Sequence, residues 1–324
     1  MAKSPMKLID DIEFVQRLAK TSTVELAHQI GCTDQAVQQR RKKLETKLKR
    51  PIHVGTPAAI RSFTRGFHPE QHPGRITHNV TNGVVLIGSD LHIWPGPVPT
   101  MHRAFVHFIK EMEPKAVILN GDVVDMAGVS RHPPIGWEKQ PTVQEEIEAA
   151  QDRLDEINQA LPRGTPRVWT WGNHDNRFET RLATVAPEYA KVHGVHLRDH
   201  FSGWEPCWSV WINDDVVVKH RFKGGIHAPW NNTINSGKTT VTGHLHSAKV
   251  TPFTDYNGTR YGVDTGCMAD TNHAAFVDYT EDSPKNWRSA FCVLTFRNSK
   301  LLFPELVVKW DEDHVQFRGE IIKV

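Results

Sequence analysis

The chain has 324 residues, 39% apolar and 23% charged, an ordinary globular composition that excludes disorder along its whole length. The opening MAKSPMKLIDDIEF lacks a signal-type apolar core, and no apolar run nears the ~18 residues of a membrane span, so a cytoplasmic protein with no membrane partner is expected. Cys32, Cys207, Cys267 and Cys292 form no C-x-x-C pair, which fits neither a disulfide framework nor a structural zinc site. The net charge of +2 hides a split: residues 1–50 carry eleven Lys or Arg against six Asp or Glu, a net +5, leaving −3 for the other 274. A local basic excess points to a polyanionic partner.

In chain order, STVELAHQIGCTDQAVQQRRKKL comes first. Ser22 and Glu25 stand in a capping-box relation, Leu26, Ile30, Val37 and Leu44 mark apolar points on two short helices, and Gly31 breaks them. Gly31 can take positive φ, and the Thr33 hydroxyl can cap the next helix. With Ala27, Gly31 and Val37 at their spacing, residues 1–50 resemble a small all-α helix-turn-helix DNA-binding module. The resemblance implies a second helix in the major groove, with Gln35, Gln38 and Gln39 at base edges and Arg40, Arg41, Lys42, Lys43 and Lys47 on phosphates. Residues 51–83, rich in Pro, Gly, His and Arg, read as a linker.

From Val84 to residue 324 short apolar runs alternate with helical periods. VVLIGSD, AVILNGD and RVWTWGN read as strands. MHRAFVHFIKEM reads as a helix with Met101, Phe105, Phe108, Ile109 and Met112 on one face, and Thr142 with Glu145 opens a long helix closed by Pro162. CWSVWINDDVVVKHRF reads as a hairpin turning at Asn213-Asp214-Asp215, and KTTVT as a strand running out into GHLH. The order argues for an α/β domain in which two sheets pack face to face, a β-sandwich flanked by helices.

Hard donors stand where these strands end: Asp90 and His92 in SDLH, Asp122 and Asp125 in NGDVVD, Asn173, His174 and Asp175 in GNHD, His220 in VVVKH, and His244 and His246 in GHLH. Carboxylate with imidazole and no thiolate suits Mn, Fe or Zn, and the donors outnumber what one ion needs. Two divalent ions, Mn first among the candidates, are implied, and ions ~3.5–4 Å apart require a shared ligand.

The ordered motifs resemble those of the calcineurin-like metallophosphoesterase superfamily. The resemblance implies that Asp90, His92 and His246 hold one metal, that Asn173, His220 and His244 hold the other, and that Asp122 bridges them. It further implies that His174, held by Asp125, protonates the leaving oxygen while a metal-activated hydroxide attacks phosphorus. Arg221 follows His220 where the family commonly has Gly, so His227 is the alternative ligand. Arg131, Arg177 and Arg181 are candidate phosphate clamps, and Trp94 a candidate platform for a base.

Met126 and Asp175 stand where the family's protein phosphatases carry Arg and Glu, which disfavours a phosphoprotein substrate. The basic helical module makes a DNA-directed phosphodiesterase or nuclease the leading expectation, with DNA as partner and a bacterial or phage setting. The alternatives are a small-molecule, nucleotide-type phosphodiesterase or phosphomonoesterase, and a DNA-binding regulator whose metal domain does not catalyse.

Overall fold

The computed structural model describes residues 9–48, 52, 54, 74–131, 137, 139–272, 276, 280 and 283–324, and the chain falls into two compact units, Met1–His72 and Pro73–Val324. Among the described residues of the first unit are three helices, α1 (Asp11–Leu18), α2 (Thr23–Ile30) and α3 (Asp34–Leu48). The last two match the expected pair, and α1 was not foreseen. Each start is fixed locally: Asp10, Ser22 and Thr33 side chains accept from the backbone N–H groups of Glu13, Glu25 and Ala36. Gly31 ends α2 at φ 73°, a left-handed conformation that costs glycine little. Phe14, Leu18, Leu26, Ala27, Val37 and Leu44 bury the faces between the helices.

In the second unit, the described residues form two sheets. One has the order β1 (Arg75–His78), β6 (Ser209–Ile212), β7 (Val216–Val218), β8 (Thr239–Thr242), β10 (Gly258–Asp264), β9 (Lys249–Asp255). The other runs β15 (Glu320–Lys323), β14 (His314–Phe317), β13 (Glu305–Lys309), β11 (Ala290–Arg297), β2 (Gly83–Gly88), β3 (Ala116–Leu119), β4 (Arg167–Thr170), β5 (Glu205–Cys207), with β12 (Lys300–Leu301) on β11. β1 falls inside the stretch expected to be linker, where it pairs in parallel with β6, Ile76 opposite Val210. The hairpin forms as expected, Ile212 opposite Val216, with φ of 52° and 56° at Asn213 and Asp214. Both central residues at positive φ make this the turn whose twist suits paired strands.

The runs VVLI and AVIL are unbroken because β2 and β3 are buried on both faces. Val85, Ile87, Ile118 and Val168 point into the core between the sheets with Val210, Val218, Val241 and Val263. Leu86, Val117, Leu119 and Trp169 point the other way, into a core shared with α4 (Thr100–Met112) and α5 (Val143–Ala160). Phe105 and Phe108 of α4 are fully buried there, each stabilising the packing by about 1.5–3 kcal/mol. β2, β3 and β4 are mutually parallel, as are β7, β8 and β10, so their carboxyl ends bring several loops to one edge of the sandwich. α6 (Asp175–Val185) and α7 (Ala228–Ser236) also belong to the unit, and no described helix is long and apolar enough to cross a membrane.

Candidate metal centre

The loops after β2 and β3 run side by side, Asp90 N–H donating to Gly121 O and His92 N–H to Asp122 O. Five donor-bearing residues there take left-handed backbone: φ is 53° at Asp90, 40° at His92, 50° at Asp122, 71° at His244 and 57° at His246. Non-glycine residues in this region store of order 1–3 kcal/mol each and concentrate at functional sites. The neighbouring glycines leave room. A Cβ on Gly172 would run into the Asp122 carboxylate and backbone, and one on Gly121, itself at φ 79°, into the His220 ring.

Three overlapping groups result, Asp90 with His92 and His246, Asp122 with His220 and His244, and His92 with Asp122 and His174, the ligand atoms of each within 4.8 Å of one another. His246 Nε2 lies 3.1 Å from Asp90 Oδ1, and His220 Nε2 lies 3.1 Å from Asp122 Oδ2. Asn173 sits between Gly172, packed on Asp122, and His174, whose N–H donates to Asp122 Oδ1 at 2.8 Å. His244 N–H donates to the Asp90 carboxylate, tying the last motif to the first.

The hydrogen bonds behind the imidazoles assign their tautomers. His220 Nδ1–H donates to Asn120 O at 2.8 Å, and His92 Nδ1–H to Asp125 Oδ1 at 3.0 Å, which turns each Nε2 lone pair inward. Both Nε2 atoms, with Asn173 Oδ1, are buried without a hydrogen-bond partner. Orphaned lone pairs beside buried carboxylates fit divalent cations. Asp125 Oδ1 also accepts from His174 Nδ1–H at 2.6 Å, while Arg177 Nη2 donates to His174 Nε2 at 3.1 Å.

Burial would raise the Asp90 carboxyl, but the charges of His246 and His220 outweigh it and hold it at about 2. Asp122 is likewise held well below the usual carboxylate range, burial being outweighed by His220 and then His174. Conversely His220 is pushed up to about 9 as Asp122 and Asp90 overcome its burial. The site thus concentrates fixed negative charge that imidazolium or a metal can compensate.

Two further carboxylates were not assigned roles from the motifs. Asp175 is fully buried and accepts from the N–H groups of Asp122, Val123, Val124 and Gly172 and from Trp169 Nε1–H, at 2.8 to 3.3 Å. Burial and the Asp122 charge push its carboxyl up to about 6 against those donors. Glu146, also fully buried, accepts from the N–H groups of Met126 and Ala127, and burial with the Asp125 charge drives it up to about 7. Asp175 and Glu146 therefore peg the loop carrying Asp122 and Asp125 from beneath. An acid on the apolar face of α5, three residues after Val143 and four before Ala150, was the available signal for Glu146.

Other expected residues are placed differently. His227 is exposed at the start of α7, whereas His220 lies in the cluster. Arg177 reaches His174 and the Asp125 backbone, while Arg181 and Arg131 are exposed. In the first unit Gln35, Gln38, Gln39, Lys42 and Lys43 are exposed on α3. Arg40 is turned inward: it bonds Ile9 O and Asp11 and lies over the Phe14 ring, so a phosphate would have to compete with these contacts. Arg41 pairs with Glu45 at 2.9 Å, and Lys47 with Asp11 at 3.4 Å.

No curated protein matches the chain. Among solved structures, a zinc-complexed Vps29 from Entamoeba histolytica is 14% identical over 74% of this chain and 98% of its own, with a TM-score of 0.40. YfcE, a phosphoesterase from E. coli, is 14% identical over 74% and 96%, with a TM-score of 0.31. The nuclease MPE of Pseudomonas putida is 14% identical over 68% and 86%, with a TM-score of 0.29. The calcineurin-like phosphoesterase family matches residues 83–265, more than half of the chain and the stretch that holds every gathered donor, and the protein belongs to that family.

Proposed function

We propose that the protein is a two-metal phosphodiesterase directed at DNA, its N-terminal helices serving as a helix-turn-helix tether. The observation that carries the phosphoesterase reading is the convergence of two donor groups, each built on one buried carboxylate, at the carboxyl ends of the strands. Asp90, His92 and His246 would hold one ion, Asn173, His220 and His244 the other, and Asp122 both. Bound there, two divalent ions, Mn first and Fe or Zn also fitting the donors, would activate a water and neutralise phosphoryl charge. Asp125 orients His174 through Nδ1, leaving Nε2 as the atom that carries a proton to the leaving oxygen. Arg177 donates to that Nε2 in the present arrangement, so transfer requires its guanidinium to swing away, and a substrate phosphoryl oxygen is the natural acceptor. The DNA reading is supported by the net +5 of residues 1–50 and by the exposed Gln35, Gln39, Lys42 and Lys43 on α3.

The test is incubation of Mn-loaded protein with end-labelled single- and double-stranded DNA beside an Asp122→Asn control. Cleavage by the wild type, lowered about 10³-fold or more in the variant, is expected if the shared carboxylate is needed by both ions. A Lys42→Ala/Lys43→Ala protein should bind DNA more weakly at every sequence and lose about 2 from the slope of log affinity against log salt. Hydrolysis of small diesters without DNA cleavage or DNA affinity would replace the DNA reading with a small-molecule phosphodiesterase.

A further inference from the structure

Beside the metal centre, sharing His92 with it, lies a cavity of about 310 Å³. Ligand pockets span about 300–1,000 Å³, so this one has room for a single small ring system and none for a duplex. Apolar side chains line much of it: Trp94, Pro95 and Pro97 from the loop after β2, with Phe276 and Met268. Phe276 meets the His92 ring edge-on at 5.4 Å, which sets this wall directly against a donor of the metal cluster.

A stripe of α5 and His102 of α4 also line it. Ala149, Glu148, Asp152 and Arg153 line the cavity at helical spacing, while Glu146, Ile147, Ala150 and Leu154 face the core. Arg153 is already paired with Glu156 at 2.9 Å. Glu145, Glu148, Asp152 and Asp270 outnumber Arg153 in the lining, which leaves the edge of the cavity acidic. Such an edge repels a second phosphate and accepts from N–H groups, while the aromatic side chains favour a planar ring.

We infer that this cavity receives one nucleobase of the substrate, unstacked from its neighbours and held beside the reacting phosphate. The inference rests on the phosphodiesterase reading above and narrows it, since a base can enter only from a single strand, a frayed end or a mononucleotide ester. Stacking on an aromatic wall supplies the grip and the carboxylate edge selects for ring N–H donors.

The test compares two esters with the same leaving group, thymidine 5′-(p-nitrophenyl phosphate) and methyl p-nitrophenyl phosphate, on the full chain loaded with Mn. The wild type is expected to favour the thymidine ester in kcat/KM by about 10-fold, the size of one base stack. Ala149→Trp, which fills the cavity, should bring that ratio towards one, and Trp94→Ala, on the surface loop, should lower it without filling anything. A wild-type ratio near one, or a ratio that neither variant changes, overturns the pocket and leaves the phosphoesterase standing. Hydrolysis of neither ester, with saturation-transfer NMR showing thymidine bound to the wild type but not to Ala149→Trp, removes the phosphoesterase reading and upholds the pocket.

Discussion

The N-terminal helical unit and the two-sheet unit use charge in opposite ways. In the first, every fully buried side chain among the described residues is apolar, and apart from the inward-turned Arg40 the charged groups lie outside, as caps at Asp10 or as pairs such as Arg17–Glu13 and Arg41–Glu45. In the second, Asp90, Asp122, Glu146 and Asp175 are 0 to 1% exposed and hold backbone or imidazole donors in place. Exposed pairs contribute a few tenths of a kcal/mol each and act independently, whereas a buried carboxylate that collects several N–H donors is a shared part whose loss leaves all of them orphaned. One unit is stabilised by many small replaceable terms, the other by a few that the site also depends on.

The largest break in that contrast is Asp175→Ala. It strips the acceptor from the N–H groups of Asp122, Val123, Val124 and Gly172 and from Trp169, and should lower unfolding free energy by about 3 kcal/mol or more. Because the same loop carries Asp122, Mn affinity should weaken by about 10- to 100-fold. Denaturant titration and metal-binding calorimetry read the two effects, and retention of both would show that the peg is dispensable.

Acid should act next. Burial, opposed by Glu156, pushes the His102 imidazole down to about 4, below the 6.5 of a free ring. Between these values the unfolded chain binds a proton that the folded one refuses. The contribution is therefore full above pH 6.5 and is lost as pH falls towards 4, at up to ~1.4 kcal/mol per unit. His102→Leu should flatten this part of the stability–pH curve, measured by urea midpoints from pH 7 to pH 4. The smallest expected effect lies in the helical unit: Ser22→Ala removes one cap and should cost about 1 kcal/mol, visible only in melting of that unit.

The elements were legible wherever the apolar period was long, as in α4 and α5, or where a capping or turn residue marked an end, as at Thr142, Gly31 and Asn213. These are short-range signals, set by propensity and by which face must be buried. β1 carried too little period in four residues, RITH, to be told from linker, and gains its identity only by pairing with β6, more than a hundred residues on. α1 spans only eight residues, with Phe14 and Leu18 buried, too short a period to stand out by itself.

The sequence by itself determined the order of the donor motifs, because ligand chemistry restricts each position to Asp, Asn or His and strand ends deliver them to one edge. Only the tertiary structure decided that Asp125 serves both His92 and His174, that His220 rather than His227 faces Asp122, that Arg40 turns inward, and that Glu146 and Asp175 peg one loop from below. Each of these is a contact between residues distant along the chain, chosen by desolvation: a buried donor or acceptor must find its partner in space, and residue spacing does not encode where that partner lies.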